Sequence, residues 1–331
     1  MRVFATWKHK SRNWLHKIME RYVVTGGAGF IGSALVRALL NQGGSQVAVI
    51  DNFLSGKRSN LEGLDGALEV HDADIRDFDA MSRMVKGAAA VFHLAAIPSV
   101  PRSIAQPVPS HEVNIDGTFT LLRACAEAKA GRVVYAASSS AYGDTEVLPK
   151  VESMMPRPKS PYAAQKLMGE YYAGVFADCF GLPGVSLRFF NVYGPRQDPL
   201  SPYSGVISIF MRCLIERRSP TIHGDGEQSR DFTFVEDVAA LCIKASQAPG
   251  VSGKVINAGN GNRYTLNQVW QTLNKIEGVS IAAEYGQPRP GDVRDSQADT
   301  TLARTLLGHQ PEFRLEEGLR RTLAWYRETS T

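Results

Sequence analysis

The feature that most constrains the fold is a glycine-rich run that directly follows a short apolar stretch. Residues 22–25 predict a buried strand, residues 33–40 have the amphipathic pattern of a helix, and Gly26, Gly29 and Gly32 lie between them. Glycine turns also occur for steric reasons alone, but this order is typical of a site that binds a pyrophosphate at a helix N-terminus. Gly26 would form the tight turn, Gly29 would let the backbone approach the phosphates, and Gly32 would let helix and strand pack closely.

A second predicted strand, residues 46–50, ends in an acidic residue, Asp51. An acid at this distance from the glycine run holds the adenosine ribose in dinucleotide-binding folds. Because a carboxylate accepts a hydrogen bond from the ribose 2′-hydroxyl and repels a 2′-phosphate, Asp51 favours NAD over NADP. Arg58 is close in sequence and leaves NADP open as an alternative.

Strands and helices alternate after Asp51 as far as residue 190, where the composition changes. This alternation predicts an α/β fold, with a Rossmann doubly wound parallel sheet and a smaller C-terminal α/β substrate domain. We also expect a proline-marked loop over residues 98–109. The predicted domains are an N-terminal extension (1–19), an NAD-binding domain (20–190, to which 234–260 return) and a substrate domain (191–233 and 261–331).

Composition argues against several classes of protein. The 331 residues include 37 Lys and Arg against 33 Asp and Glu, a net charge of +4, which is no signature of nucleic-acid binding. The four cysteines lack metal-ligand spacing and suit a reducing compartment, so we expect a cytoplasmic protein without a metal. No apolar run reaches the length of a membrane span.

The predicted extension is basic and has no acid before Glu20. It could be an amphipathic helix that touches a membrane surface or a partner, or a transit-like leader. We favour a poorly ordered tail or a translation start at Met19. The lack of an apolar segment argues against a secretory signal.

A tyrosine and a lysine four residues apart open a predicted helix, residues 160–179. Tyr162 and Lys166 would share a helical face, and Ser138 follows a predicted strand and would emerge at the carboxyl edge of the sheet. Tyrosine acts as a general base only if its pKa falls from about 10 toward about 7, roughly 4 kcal/mol. A nearby ammonium group and an oxidised nicotinamide ring would both favour the phenolate. A Tyr-x-x-x-Lys pair is frequent by chance, and it gains weight here from the glycine run upstream.

These pieces, in this order, resemble an extended short-chain dehydrogenase/reductase of the NAD-dependent sugar-nucleotide epimerase/dehydratase group. Segments 96–103, 138–142 and 196–199 look most like those of bacterial UDP-N-acetylglucosamine 4-epimerases of polysaccharide assembly. The matching motifs cover nearly all of the chain after Met19: TGGAGFIG (25–32), HLAA (93–96), SSSAYG (138–143), YAAQK (162–166), RFFNVYGPRQ (188–197), GDGEQSRDF (224–232) and RPGDVR (289–294).

The resemblance implies a set of site residues and a homodimer. Tyr162 would be the catalytic base, Lys166 would bind the nicotinamide ribose, and Ser138 would act with the base. The dimer would form through predicted helices 111–129 and 160–179. The residues implied to bind NAD, besides Tyr162 and Lys166, are Gly26, Gly29, Phe30, Ile31, Asp51, Asn52, Asp74, Ile75, Leu94, Ala95, Ala96 and Asn114. Those implied to bind the UDP-sugar are Ser139, Ser140, Asn191, Arg230, Arg289, Asp292 and Ser296.

The choice of reaction depends on which acidic residues are lacking. In the group that this chain resembles, dehydratases carry an Asp-Glu pair after the catalytic Ser or Thr, and glucuronate decarboxylases carry a Glu two positions after it. Ser139 and Ser140 occupy these positions. We therefore expect 4-epimerisation through a transient 4-keto sugar, with NAD kept tightly bound.

Substrate choice is indicated by one small residue. Ser296 stands where members limited to glucose and galactose tend to have a tyrosine, so a UDP-N-acetylhexosamine is expected to fit. UDP-glucose/UDP-galactose and UDP-glucuronate stay open, the last with Arg102 as a candidate cation near C6. A non-catalytic NAD-binding sensor and an oxidoreductase that releases reduced cofactor are the remaining alternatives.

Overall fold

The computed structural model describes residues 19–198, 205–288 and 293–330, so residues 1–18 of the predicted extension lie outside the described residues. A parallel sheet of seven strands forms the centre, in the order β11-β6-β5-β4-β1-β2-β3. The strands are β1 (Glu20–Thr25), β2 (Ser45–Asp51), β3 (Ala67–Asp72), β4 (Ala90–His93), β5 (Val133–Ser138), β6 (Gly184–Phe189), β7 (Val192–Tyr193), β8 (Thr221–His223), β9 (Ser229–Arg230), β10 (Thr233–Phe234), β11 (Lys254–Ala258), β12 (Tyr264–Thr265) and β13 (Glu284–Gly286).

The strand order confirms the predicted doubly wound sheet. The chain fills one side of the sheet from β1 to β3, then crosses back and fills the other side from β4 onward. The order therefore reverses between β1 and β4, and open α/β sheets bind ligands beyond the carboxyl ends of the strands at such a reversal. β11, which lies within the segment 234–260, pairs with β6 of the large sheet.

Helices cover both faces of the large sheet. α1, α8 and α10 bury their apolar side chains on one face, and α2, α5 and α6 bury theirs on the other. The helices are α1 (Phe30–Asn41), α2 (Phe78–Met84), α3 (Val100–Ala105), α4 (Pro107–His111), α5 (Thr118–Glu127), α6 (Pro161–Phe180), α7 (Val206–Ile215), α8 (Val235–Gln247), α9 (Leu266–Glu277), α10 (Thr301–Leu307) and α11 (Leu315–Ser330).

The proline-marked segment is helical, and the prediction of a loop over residues 98–109 was wrong. Pro101 and Pro107 lie in the first turns of α3 and α4, where a missing N–H breaks no helical hydrogen bond. Ser99 caps α3 by accepting a hydrogen bond from the Arg102 N–H. α4 continues through a π-helical stretch, Glu112–Gly117, into α5, so the long helix predicted from residue 111 begins earlier and is irregular.

The C-terminal part has a core of its own. α7, α9 and α11 bury Phe210, Trp270 and Leu319 together with Phe234. α10, which lies within the predicted substrate segment 261–331, packs with α1 and α8 on the large sheet through Ala303 and Leu307. None of the helices in the described ranges combines the length and the apolarity that crossing a membrane requires.

Candidate active site

A cavity of about 1120 Å³ lies at the carboxyl edge of the large sheet, where the strand order reverses. Its far wall comes from the C-terminal part of the chain. The structure brings most of the predicted site residues into this one cavity: Gly26, Gly29, Phe30, Ile31, Asp51, Asn52, Asp74, Ile75, Leu94, Ala95, Ala96, Ser138, Ser139, Ser140, Tyr162, Lys166, Asn191, Arg230 and Ser296 all line it. Arg289 and Asp292 lie outside the described residues.

The glycine run forms a tight cradle between β1 and α1. Gly26 has a φ of +71°, and a Cβ there would lie 2.7 Å from the Ala95 nitrogen. A Cβ on Gly32 would lie 2.1 Å from the Gly26 carbonyl oxygen, whereas one on Gly29 would lie 3.1 Å from the same atom. Gly29 is the N-cap of α1, so the unpaired N–H groups of the first helical turn are available at this end of the cavity. This cradle fits a dinucleotide pyrophosphate.

Asp51 ends β2 with its carboxylate held in place. It accepts hydrogen bonds from the Ala28 nitrogen at 3.0 Å and the Phe53 nitrogen at 2.9 Å, and burial raises its pKa. Arg58, the residue that left NADP open, forms an ion pair with Asp72 at 2.9 Å and stacks on the Phe53 ring. Arg58 is absent from the cavity lining. This arrangement fits an unphosphorylated ribose.

The predicted adenine end is held by a small polar cluster. Asp74 accepts hydrogen bonds from Arg76 at 2.9 Å and from Asn52 at 3.0 Å, and the Arg76 contact holds the pKa of Asp74 at about 2. Ile75, the next residue along this wall, is almost fully buried. Asp74 therefore keeps its charge at neutral pH and orients Asn52.

Asn114, which was predicted to bind NAD, is not among the residues that line the cavity. Its amide oxygen accepts from the Ile97 nitrogen at 2.8 Å, and its amide nitrogen donates to the Gln165 oxygen at 2.9 Å. Asn114 is 1% exposed and therefore lies one layer behind the wall. There it ties the segment after β4 to α6, the helix that carries Tyr162.

The predicted catalytic residues converge from β5 and α6. Ser138 is the last residue of β5, and its Oγ accepts hydrogen bonds from the backbone nitrogen and the hydroxyl of Ser140. Tyr162 lies in the first turn of α6, which Ser160 caps. The Lys166 ammonium donates to the Ala136 carbonyl oxygen at 2.8 Å. All three side chains are thus anchored to the strand end.

The protein's own groups keep Tyr162 protonated. Burial raises the pKa of Tyr162 to about 12, although a hydrogen bond with Ser138 opposes this rise. Burial also lowers the pKa of Lys166 to about 8, and the Glu170 carboxylate, one turn further along α6, opposes that shift. We expected the Lys166 ammonium group and an oxidised nicotinamide ring to lower the pKa of Tyr162 toward about 7. The protein alone does not produce this fall.

Two features near this set were not predicted from the sequence. Glu170 and Arg188 form a buried bidentate ion pair beneath α6, with bonds of 2.9 and 2.8 Å. Glu170 stands four residues after Lys166, and this helical spacing was a signal that could have been used. Lys150 lines the cavity although the sequence around it carries no motif, and Arg102, the cation considered for the sugar, does not line it.

Three of the predicted substrate residues, Asn191, Arg230 and Ser296, lie on the far wall. The Asn191 amide donates to the Ser296 hydroxyl at 3.3 Å, which joins the end of β6 to the C-terminal part. The Arg230 guanidinium donates to the Ser229 and Arg294 carbonyl oxygens, both at 3.0 Å. These contacts fix Arg230 at the rim, where its planar donors suit a phosphate.

Comparisons with known proteins agree with this geometry. The profile of the NAD dependent epimerase/dehydratase family matches residues 22–259. A UDP-glucose 4-epimerase of Mycolicibacterium smegmatis is 37% identical over 94% of this chain and 99% of its own length. A solved UDP-N-acetylglucosamine 4-epimerase of Methanobrevibacter ruminantium, in complex with UDP-N-acetylmuramic acid, is 39% identical with a TM-score of 0.90 over 94% and 99% of the two chains. A UDP-glucuronic acid 4-epimerase of Bacillus cereus, solved with UDP-glucuronic acid and NAD, is 33% identical with a TM-score of 0.87 over 93% and 99%. The chain therefore belongs to the NAD-dependent epimerase/dehydratase family, as an NAD-dependent enzyme of the epimerase type.

Proposed function

We propose that the chain interconverts UDP-N-acetylglucosamine and UDP-N-acetylgalactosamine by inverting the sugar C4. The observation that carries this proposal is the small, half-buried Ser296 in the cavity wall, hydrogen-bonded to Asn191 and sharing the cavity with Ser138, Tyr162 and Lys166. A small residue there leaves room for a 2-acetamido group. Such a product would serve polysaccharide assembly, as the resemblance implies.

In this proposal the chain's own residues move one proton at the sugar C4 hydroxyl. Bound NAD⁺ would add a positive charge and accept the C4 hydrogen as hydride, and in its reduced form it would give that hydride back to C4 of the 4-keto sugar. Tyr162 takes the hydroxyl proton as the hydrogen on C4 leaves, and Ser138 bridges the phenol and the sugar oxygen. Tyr162 then returns the proton to the 4-keto oxygen after the sugar has turned over. Lys166, fixed by the Ala136 carbonyl, holds the nicotinamide ribose in this proposal.

The residues beside Ser138 support epimerisation over elimination or decarboxylation. Ser139 and Ser140 both line the cavity, and Ser140 donates its hydroxyl proton to Ser138 at 2.8 Å. Dehydration needs a positioned acid near the sugar, and a hydroxyl with a pKa far above neutral supplies none.

The test is direct: incubate the protein with UDP-N-acetylglucosamine and NAD⁺, then separate the nucleotide sugars. We expect UDP-N-acetylgalactosamine at equilibrium without net change of nicotinamide absorbance. No product would refute the proposal, and stoichiometric reduced nicotinamide would instead indicate an oxidoreductase that releases the cofactor. Tyr162→Phe should lose most turnover and keep NAD binding, whereas an NAD-binding sensor would keep its full ligand response.

Ser296→Tyr tests the substrate assignment separately. A tyrosine ring would fill the space proposed for the acetamido group, so the variant should lose UDP-N-acetylglucosamine turnover and keep any UDP-glucose turnover. Ser296→Ala is the matched control, because it removes the hydroxyl and keeps the space. Equal losses on both sugars in Ser296→Tyr would contradict the assignment.

We also propose a homodimer through α5 and α6. Five large apolar side chains on these helices are exposed, namely Phe119, Met168, Tyr171, Val175 and Phe180. Their exposed fractions of 40 to 62% are unusual for one contiguous helix pair in a monomer. Tyr171→Glu should halve the mass measured by light scattering, whereas Met155→Glu, at an exposed site off these helices, should not.

A further inference from the structure

Lys150 is a buried cation that the proposed mechanism does not use. Its backbone is joined to the segment that carries Ser296: the Lys150 nitrogen donates to the Gln297 oxygen at 2.7 Å, and the Lys150 oxygen accepts from the Asp299 nitrogen at 2.9 Å. The Asn257 amide donates to the same oxygen at 2.8 Å. Lys150 is therefore fixed in the far wall of the cavity, beside the proposed acetamido pocket.

The side chain of Lys150 has little charge compensation. The residue is 2% exposed and lines the cavity, and its ammonium donates to the Thr145 carbonyl oxygen. Across the described ranges, no carboxylate forms an ion pair with it. The two acids that act on it from further away are Asp144 and Asp295, and they pair with Lys159 at 3.4 Å and Arg263 at 3.8 Å.

A buried ammonium group with one carbonyl contact is costly, since desolvation of a charge is repaid only by an opposite charge or several hydrogen bonds. An ammonium has three donor hydrogens, and the carbonyl of Thr145 accounts for one. Burial accordingly lowers the pKa of Lys150. An anionic ligand in the cavity would compensate the charge.

Lys150 lies at the end of the cavity proposed for the sugar, and not at the end proposed for the dinucleotide. Lys150 lies opposite Ala298 in a short parallel bridge, and Ala298 packs with Tyr142 and Phe190. Tyr142 follows the serines after β5, and Phe190 directly precedes Asn191, so both flank the proposed sugar site. The dinucleotide cradle lies at the other end, beside Gly26.

Four other cations among the described residues line the cavity. Lys57 forms an ion pair with Asp198 at 3.0 Å, and Arg196 is acted on by Arg37 and Glu236 of α1 and α8. Lys166 is assigned to the nicotinamide ribose and Arg230 to the diphosphate. Arg102, a candidate from the sequence for binding an acidic sugar, is outside the cavity lining. Lys150 is the lining cation whose backbone is hydrogen-bonded to the segment that carries Ser296, and this place fits a charge on the sugar itself.

We propose that Lys150 binds a carboxylate carried by the substrate sugar and makes the site selective for acidic N-acetylhexosamine nucleotides. This inference rests on the proposed function, because it concerns the same cavity. The carboxylate could belong to C6 of a hexuronate or to a lactyl ether on O3. A carboxylate next to the ammonium would form a charge-assisted hydrogen bond, which neutral hexosamines cannot.

The test compares three ligands that differ in their acid: UDP-N-acetylglucosamine, UDP-N-acetylglucosaminuronic acid and UDP-N-acetylmuramic acid. Dissociation constants from calorimetry on the NAD-bound protein give a readout that does not depend on turnover. We expect the wild type to bind at least one acidic ligand about tenfold or more tightly than the neutral one. The acid that shows the gain identifies the position of the carboxylate.

Lys150→Met should remove this preference and leave the affinity for UDP-N-acetylglucosamine within about twofold. Lys159→Met is the matched control, because Lys159 is an exposed lysine that pairs with Asp144 on the same segment. Lys150→Arg keeps the charge and should keep part of the preference. If Lys150→Met does not fold, two measurements still test the inference. They are the ratio of the wild-type dissociation constants for neutral and acidic ligands, and the same ratio for Lys150→Arg.

Two results would overturn the inference: a wild type that binds neutral and acidic ligands equally, or a Lys150→Met variant that weakens all three alike. Neither result would contradict the proposed epimerisation of the neutral sugar, because both concern the affinity for acidic ligands. A protein that binds acidic ligands through Lys150 but converts no nucleotide sugar would instead refute the proposed function alone.

Discussion

The buried ion pair beneath α6 allows a quantitative test of what supports the active site. Glu170 and Arg188 are 4% and 3% exposed and are joined by two bonds, and Arg188 Nη1 has no hydrogen-bond partner in the described parts of the chain. Glu170→Gln keeps the side-chain shape and removes the charge. The variant leaves Arg188 uncompensated, and Lys166, one turn away and also buried, loses the carboxylate that supports its charge.

Breaking a buried pair by removing one partner costs about 3–5 kcal/mol, and two buried cations left without their anion place this case toward the upper value. A free energy of unfolding is commonly about 5–15 kcal/mol, so this loss should be plain in urea titrations followed by tryptophan fluorescence. The control is Glu112→Gln, because Glu112 pairs with Arg76 at 3.1 Å on the surface. That change should cost less than about 1 kcal/mol.

The double variant Glu170→Leu/Arg188→Met completes the test. Replacing a whole buried pair by apolar groups of similar size is often neutral, so the double variant should be more stable than Glu170→Gln. A Glu170→Gln variant within about 1 kcal/mol of wild type would refute the reasoning. A double variant as unstable as the single one would show that packing, and not unpaired charge, dominates at this place.

Three further predictions follow from the geometry of the cradle and the first strands. Gly32→Ala should weaken NAD binding about tenfold or more in fluorescence titrations, since its Cβ would lie 2.1 Å from a backbone oxygen; Gly174→Ala, with open space around it in α6, should bind NAD normally. Asp51→Asn should narrow the preference for NAD over NADP, measured as a ratio of dissociation constants, because the amide no longer repels a 2′-phosphate. Burial lowers the pKa of His93 to about 3, so the folded state binds fewer protons than the unfolded one. Stability should therefore fall as pH drops from about 6.5 toward 3, by up to about 1.4 kcal/mol per pH unit, and His93→Gln should flatten this slope in denaturant titrations.

Much of the architecture could be predicted from local sequence patterns. The glycine run, the apolar strands and the acid after β2 each act over a few residues, which is why the cradle and the sheet could be predicted. The prolines of α3 and α4 led to the wrong prediction of a loop. In the sequence, a proline in the first turn of a helix cannot be told from a proline in a loop unless the N-cap, here Ser99, is recognised.

Features that depend on long-range packing could not be predicted in the same way. Whether Asn114 faces the cavity or the layer behind it is decided by contacts with Ile97 and Gln165, which meet it only in the fold. Lys150 joins the site through a bridge to Ala298, a residue far along the chain. No spacing rule connects two segments that pair outside a regular sheet.

Burial of the proposed catalytic residues has a consequence for the order of chemical events in the proposed reaction. With the pKa of Tyr162 raised to about 12, only about one phenol in 10⁵ is ionised at pH 7 in the protein alone. The base therefore forms when a positive charge lies beside it, which oxidised NAD brings and reduced NAD does not. Once the hydride has left the sugar, the same burial favours the protonated phenol that the 4-keto oxygen requires. Burial of Tyr162, which at first opposes its role as a base, thus couples its proton to the redox state of the cofactor in the proposed reaction.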